Sequence, residues 1–329
     1  MRFRALVLDQ ADDKQTVSLQ NLDDDRLPDG DVTIDVEWSS LNYKDGMILR
    51  GIGRLVRTFP HVPGVDLAGT VADSRSDRFA PGDRVVCTGF RVGETWWGGY
   101  AERARVKAEW LVNVPDGLTT RETMEIGTAG LTAMLCVDAL ERDGLMPDVG
   151  PVLCTGAAGG VGTYAVHLLA RLGYDVTAST GRPETADYLR DVGAAAIVDR
   201  SELAGPPEKP LLSERWAACV DAVGGATLAH VLAEMRYGSA VAACGNTAGN
   251  DLPASVLPFI LRNVRLLGVD SVMVPAAARA SQWQRLGELV DRDLMTRATT
   301  VVGLGGLAEA ADRILEGKVR GRVLVDVHS

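Results

Sequence analysis

Val152-Leu-Cys-Thr-Gly-Ala-Ala-Gly-Gly-Val-Gly162 is an apolar run that breaks into a glycine-rich turn. It opens onto Thr163-Tyr-Ala-Val-His-Leu-Leu-Ala-Arg-Leu-Gly173, whose apolar residues recur at helical spacing. Strand, tight glycine turn and helix, in that order, aim backbone N–H groups and the positive end of a helix at one point, which suits a pyrophosphate. The pattern reads Ala157-x-Gly159-x-x-Gly162, with Ala157 where the dinucleotide fingerprint has its first glycine. Glycines alone would mark only a turn; the strand before them and the helix after them favour the nucleotide. Ala158, Gly159, Gly160, Val161 and Gly162 are therefore expected to bind a cofactor.

The following segment, Tyr174-Asp-Val-Thr-Ala-Ser-Thr-Gly-Arg182, decides which dinucleotide. A site for NAD places an acidic residue about 20 residues beyond the glycines, where it accepts from the ribose hydroxyls. Here the strand ends in Ser179, Thr180, Gly181 and Arg182, with no carboxylate. Two hydroxyls, an open backbone N–H and a guanidinium suit a 2′-phosphate, which a carboxylate would repel. The expected cofactor is NADPH. Arg182 could also be a solvated surface arginine, but its place at a strand's carboxyl end favours the phosphate. Pro183 and Glu184 fit the first turn of another helix.

The chain's 329 residues suffice for two domains with proper cores. Its apolar fraction is 46%, and no run is expected to reach the length of a membrane span. Met1-Arg-Phe-Arg-Ala-Leu-Val-Leu leads straight into a strand pattern, so no signal peptide is expected. Five widely spaced cysteines, at 87, 136, 154, 219 and 244, suit a reducing cytoplasm and lack zinc-ligand spacing. A net charge of −10 argues against nucleic-acid or polybasic membrane binding, and it requires a local basic patch for any anionic substrate.

Residues 1 to about 118 hold short β-type runs (Phe3–Leu8, Val32–Ser39, Gly69–Val71, Arg84–Cys87, Leu111–Val114) between Pro and Gly turns, a pattern for a partly open β-barrel. Thr119-Thr-Arg-Glu122 is a capping-box signature that opens a helix. Beyond it strands and helices alternate, with strands expected at Val152–Thr155, Asp175–Ser179, Ala195–Val198, Ala217–Val220, Ser239–Cys244 and Leu266–Asp270. That alternation predicts a parallel sheet flanked by helices. A helix at Ala308–Glu316 and a strand at Arg322–Val327 close the chain, and the strand is expected to join the N-terminal domain's sheet.

Four motifs carry a family resemblance over essentially the whole chain: Ser40-Leu-Asn-Tyr-Lys-Asp45, Pro63-Gly-Val-Asp-Leu-Ala-Gly69, Gly127-Thr-Ala-Gly-Leu-Thr-Ala133 and Gly156-Ala-Ala-Gly-Gly-Val-Gly162. The chain resembles the medium-chain dehydrogenase/reductases, in their zinc-free quinone oxidoreductase branch. Ser179-Thr-Gly-Arg182, Val241-Ala-Ala-Cys-Gly245 and the long Pro258–Met273 stretch are similar to acrylyl-CoA reductases. The resemblance implies a Rossmann-type doubly wound parallel sheet plus a GroES-like partly open β-barrel. It places the catalytic domain at 1–121 and 272–329 and the nucleotide domain at 122–271, and it implies NADPH-dependent reduction of a short enoyl-CoA. It further implies cofactor contacts from Tyr43, Thr128, Thr132, Arg200, Asn246, Ile260 and Ser271. Alternatives stand beside several: helix packing for the two threonines, plain surface for Arg200, core for Ile260, a backbone contact alone for Asn246.

Zinc-dependent members carry a Cys where this chain has Asn42-Tyr43-Lys44-Asp45, and Gly-His-Glu where it has Gly64-Val65-Asp66. No metal is therefore expected, and His61 reads as a packing or surface residue. Hydride addition to an electron-poor alkene then leaves the protein to orient, exclude water and stabilise an oxyanion. Asn42 and Tyr43 are the catalytic candidates, Tyr43 as proton donor or as a cofactor contact alone. Lys44 is a donor or an exposed cation, and Asp45 could cap the next helix. For CoA phosphates the basic candidates are Arg50, Arg54 and Arg57 on one rim and Arg262, Arg265, Arg320 and Arg322 on another. Trp96 and Trp97 form a mobile flap or a plain hydrophobic turn. A quinone reductase and a non-catalytic NADPH sensor remain as other readings. A homodimer paired through Leu266–Val274 is expected, because a bare apolar edge strand aggregates.

Overall fold

The structure, a computed structural model, describes residues 1–12 and 14–329. Two compact units divide the chain: Met1–Thr128 with Val272–Ser329, and Ala129–Ser271. The boundary expected at 121/122 falls earlier, just inside the long helix that leads from one unit to the next.

The first unit contains β1 (Arg2–Ala11), β2 (Lys14–Asp23), β3 (Val32–Leu41), α1 (Tyr43–Leu49), β4 (Asp66–Ser74), β5 (Arg84–Thr88), β6 (Arg103–Val106), β7 (Leu111–Asn113) and the start of α2 (Thr120–Arg142). The second contains β8 (Val152–Cys154), α3 (Gly160–Arg171), β9 (Val176–Thr180), α4 (Ala186–Val192), β10 (Ala196–Asp199), β11 (Trp216–Asp221), α5 (Gly225–Glu234), β12 (Met235–Ala243), α6 (Leu257–Arg262) and β13 (Arg265–Gly268). The chain then re-enters the first unit with α7 (Ala276–Leu289), α8 (Arg292–Arg297), β14 (Thr299–Gly303), α9 (Leu307–Leu315) and β15 (Arg322–Asp326).

In the second unit six strands run in the order β10-β9-β8-β11-β12-β13, all parallel. This is the doubly wound order, whose switch point lies between β8 and β11, at the carboxyl ends that receive ligands. Its central strands β8, β9 and β11 are buried on both faces, and β8 and β11 read as largely apolar runs. A core of Leu153, Cys219, Val231, Leu232, Met235 and Val241 fills the unit. β13 is the edge strand but spans only Arg265–Gly268, shorter than the Leu266–Val274 run.

The first unit carries a seven-membered sheet in the order β14-β15-β3-β4-β5-β7, with β6 pairing β3, and a separate β1-β2 hairpin. β15 lies antiparallel to β3, so the C-terminal strand does join this sheet, and β14 extends it in parallel. β2 had no signal in the sequence. Almost all of Lys14–Asp23 faces solvent, so no apolar alternation marks it, and ten register pairs with β1 define it instead.

The Thr119 capping box forms. Glu122 accepts from the Thr119 amide at 2.7 Å, and the Glu122 amide donates to Thr119 Oγ1 at 3.1 Å. The expectation that no run reaches membrane-span length needs correction, since α2 is long and apolar enough. Its most apolar window is 78% buried, as in a core helix, and the helix is broken at Gly127. Trp96 and Trp97 are a packed turn, not a flap. Trp96 stands edge-on to Trp110 and donates to the Arg105 carbonyl at 2.8 Å. His61 is buried against the Gly93 carbonyl at 2.9 Å, and burial lowers its pKa.

Candidate functional site

In the second unit the chain leaves β8 through Thr155 and turns at Gly156, whose φ of +59° only glycine adopts freely. This explains Ala157 in the place of the first fingerprint glycine: the left-handed residue sits one position earlier. Gly162 is required for a different reason. A Cβ there would strike the Gly156 carbonyl and lie 2.5 Å from Ala157 Cα. The close approach leaves the first turn of α3 open, with no side chain capping it. The amides of Gly160, Val161 and Gly162 have no intrahelical acceptor, so a pyrophosphate fits this end. Asp221, at the end of β11, fixes the turn from behind. It accepts from Thr155 Oγ1 at 2.6 Å and from the Gly224 amide at 2.8 Å, and burial raises its pKa.

The strand end expected to read the ribose is assembled around Gly181. Ser179 and Thr180 finish β9 as buried residues, and the Ser179 carbonyl accepts from the Ala157 amide at 3.1 Å. Arg182 donates its amide to Thr180 Oγ1 (3.1 Å) and its Nη2 to the Ala158 carbonyl (3.2 Å), so its guanidinium lies over the glycine turn. Arg200 follows β10, which pairs with β9. A Cβ on Gly181 would come within 2.6 Å of Arg200 Nε. The structure thus brings Ala158, Gly159, Gly160, Val161, Gly162, Ser179, Thr180, Gly181, Arg182 and Arg200 to one corner. Two guanidiniums flank a backbone that carries no Cβ, a fit for a 2′-phosphate.

Other named positions are more scattered. Thr132 is buried on α2 and Ser271 half-buried beyond β13. Asn246 is exposed after β12 and donates from Nδ2 to Asn250 Oδ1 at 2.6 Å. Ile260, on α6, is 68% exposed, which removes the core alternative for it.

The first unit holds a buried polar cluster built on Asp66, at the start of β4. Asp66 Oδ2 accepts from Ser40 Oγ (2.6 Å), Asn42 Nδ2 (2.8 Å) and the Thr128 amide (2.9 Å), while Oδ1 accepts from Thr128 Oγ1 (2.5 Å). Arg322, 3% exposed, caps the cluster. It donates from Nη2 to Ser40 Oγ (2.8 Å), from Nη1 to Asn42 Oδ1 (3.0 Å) and from Nε to the Glu125 carbonyl (3.0 Å). Its Nη2 lies 3.9 Å from Asp66 Oδ2.

Gly127 makes the cluster possible. It breaks α2 with φ 52° and ψ −160°, a conformation reserved for glycine, and this break turns the Thr128 amide toward Asp66. A Cβ at 127 would fall 2.5 Å from Arg322 Nη2 and 2.7 Å from Asp66 Oδ2.

Asn42 is oriented from both ends, its carbonyl by Arg322 and one of its N–H groups by Asp66, and its side chain also hydrogen-bonds the Asp45 carboxyl. Asp45 caps α1 by accepting from the Asn42 amide (2.9 Å), and it also accepts from the Val65 amide (3.0 Å). Burial, reinforced by the nearby Asp66 charge, pushes its pKa up to about 7. Tyr43 is half-buried at the first position of α1, and among the described residues no hydrogen bond engages its hydroxyl. Lys44 is tied to the buried Glu94 at 2.7 Å. Thr128 has both its amide and its hydroxyl committed to Asp66.

Two family descriptions match: the alcohol dehydrogenase GroES-like domain over residues 28–116 and the zinc-binding dehydrogenase over 160–292. Acrylyl-CoA reductase AcuI of Ruegeria pomeroyi is 54% identical over 99% of this chain and all of its own length. The chain belongs to the medium-chain dehydrogenase/reductase superfamily, in its acrylyl-CoA reductase group. Salmonella enterica oxidoreductase YhdH, solved in complex with NADP, is 52% identical, with a TM-score of 0.96 over 99% of each chain. Bacillus subtilis YhfP, solved with NAD bound, is 42% identical, with a TM-score of 0.95 over 99% of each chain. Among the described residues no three His, Cys, Asp or Glu converge as metal ligands.

Sequence reasoning missed Asp66, Ser40, Arg322 and Gly127 as members of the site. The signal was present in the quoted Ser40–Asp45, Pro63–Gly69 and Gly127–Ala133 motifs, three distant segments that the fold brings onto one carboxylate.

Proposed function

We propose that this chain reduces the carbon–carbon double bond of acrylyl-CoA, giving propionyl-CoA, with NADPH as reductant. The observation that carries this is the full-length 54% identity to the Ruegeria pomeroyi acrylyl-CoA reductase. The side chains support it. The α3 end and Gly159–Gly162 hold the pyrophosphate, and Ser179, Thr180, Arg182 and Arg200 hold the 2′-phosphate. Tyr43, Thr132, Asn246, Ile260 and Ser271 complete the cofactor contacts, while Thr128, expected among them, gives its amide and hydroxyl to Asp66. When bound, NADPH supplies a hydride equivalent to the β-carbon of the thioester, and negative charge grows on the thioester oxygen.

The chain's own task is to meet that charge and to deliver a proton to the α-carbon. Asn42, its side-chain amide held in place by Asp66, Asp45 and Arg322, presents an N–H dipole to the oxyanion. The Tyr43 hydroxyl, without an internal partner, either steadies the cofactor's ribose or donates the proton. A Tyr43→Phe variant separates these, since the first role raises the NADPH Kd and the second lowers kcat. We further infer a cytoplasmic homodimer, with β13 pairing its two-fold mate and Val256, Ile260 and Leu261 covered. These three are 65, 68 and 57% exposed in the single chain.

NADPH oxidation measured side by side with acrylyl-CoA, crotonyl-CoA and a benzoquinone tests the assignment. Acrylyl-CoA is expected to give the highest kcat/KM. Quinone turnover above it would replace this reading with a quinone reductase.

A further inference from the structure

A chain of net charge −10 repels a multiply anionic acyl-CoA unless cations are gathered locally. Most arginines that the sequence offers for this task are committed elsewhere. Arg50 makes a two-pronged pair with Asp312, both contacts at 2.6 Å, and also donates to the Ala308 carbonyl. Arg262 is occupied by the carbonyls of Leu212 and Ala233, and Arg265 by Asp143. Arg322 is buried in the Asp66 cluster. Arg54 and Arg57 differ from all of these. Both are exposed, and among the described residues neither makes a hydrogen bond or an ion pair.

Their place in the fold relates them to the reacting end. α1 starts at Tyr43, directly after Asn42, and its seven residues rise on the order of 10 Å. The chain then turns through three left-handed residues, Gly51 (φ 66°), Gly53 (φ 75°) and Arg54 (φ 48°). Arg54 holds this conformation without being glycine, at a cost of about 1–2 kcal/mol. One helix and one turn therefore separate Asn42 and Tyr43 from two unpaired guanidiniums. The pantetheine arm of CoA imposes a separation of the same order between a thioester and its phosphates.

We propose that Arg54 and Arg57 bind the phosphate groups of the CoA moiety. This rests on the acyl-CoA reading above and names the residues that distinguish a CoA thioester from one lacking the nucleotide. Guanidinium forks match phosphate oxygens in pairs, and the binding energy they supply lies remote from the reacting carbons.

The test compares kcat/KM for acrylyl-CoA and acrylyl-pantetheine in the full chain, in R54Q/R57Q and in the charge-retaining R54K/R57K. The gain in melting temperature with NADPH verifies that each variant is folded. The ratio of CoA to pantetheine kcat/KM is expected to fall about tenfold or more in the glutamine pair, through KM, and to be largely kept in the lysine pair. An unchanged ratio, or a raised KM for NADPH in place of acrylyl-CoA, overturns the proposal. So does a wild-type ratio near one. If neither thioester is turned over, it is the acyl-CoA reading itself that fails.

Discussion

Replacing Arg182 by alanine should weaken NADPH and leave NADH almost untouched. Arg182 Nη2 donates to the Ala158 carbonyl at 3.2 Å, which holds the guanidinium over the glycine turn, where a 2′-phosphate would meet it. Hydrogen bonds to a charged group contribute about 1.5–3 kcal/mol, and half-exposure argues for the lower part of that range. Taking about 1.5–2 kcal/mol gives a roughly 10- to 30-fold rise in the NADPH Kd. Arg200 is exposed and packs against Gly181, so Arg200→Ala should cost less, on the order of 0.5–1 kcal/mol, or about two- to fivefold. The two share one phosphate, so the double variant should depart from additivity. Calorimetric titration of each variant with NADPH and NADH measures all four effects. Equal weakening of both dinucleotides by Arg182→Ala would refute the reasoning and make Arg182 a support for the Ala158 turn.

Gly127→Ala should disable the first unit's cluster. The new Cβ needs a forbidden backbone and meets Arg322 and Asp66, so a loss of several kcal/mol in urea stability and a collapse of kcat are expected; near wild-type behaviour would show that the cluster is not needed. Asp45 should make stability fall as pH rises from about 4 to about 7. With its pKa raised to about 7, the folded state holds the proton that the unfolded chain has already lost, so its contribution is full below the unfolded pKa and gone above the folded one. Urea midpoints at pH 5 and pH 8 should therefore differ less in Asp45→Asn than in the parent, and an equal difference would contradict this assignment. Sedimentation at micromolar concentration should give twice the 35.0 kDa chain mass, and a monomer would remove the β13 pairing.

The parallel sheet was legible because its central strands are buried on both faces and its first crossover turn is marked by glycine, from Gly156 to Gly162. The corner proposed for the 2′-phosphate was legible for a local reason too, since Ser179 to Arg182 are contiguous. Arg200 entered on resemblance, and only the pairing of β9 with β10 places it beside Gly181. The Asp66 cluster was not legible, because its members lie on β3, β4, α2 and β15 and nothing local links residue 66 to residue 322. Nothing local marks Gly127 as a helix break, since the inward-facing Thr128 amide that requires it exists only in the folded chain. β2 was invisible for the opposite reason, being mostly exposed and held by its partner's backbone.

Hydride reaches the β-carbon of an acrylyl thioester while the α-carbon takes a proton of solvent origin, whether directly or through an exchangeable side-chain hydroxyl. Reduction of acrylyl-CoA in ordinary water with NADPH carrying deuterium at both C4 positions tests it directly. Mass and proton spectra of the product should show propionyl-CoA with a single deuterium, at C3. Deuterium at C2, or propionyl-CoA without deuterium, would contradict the account.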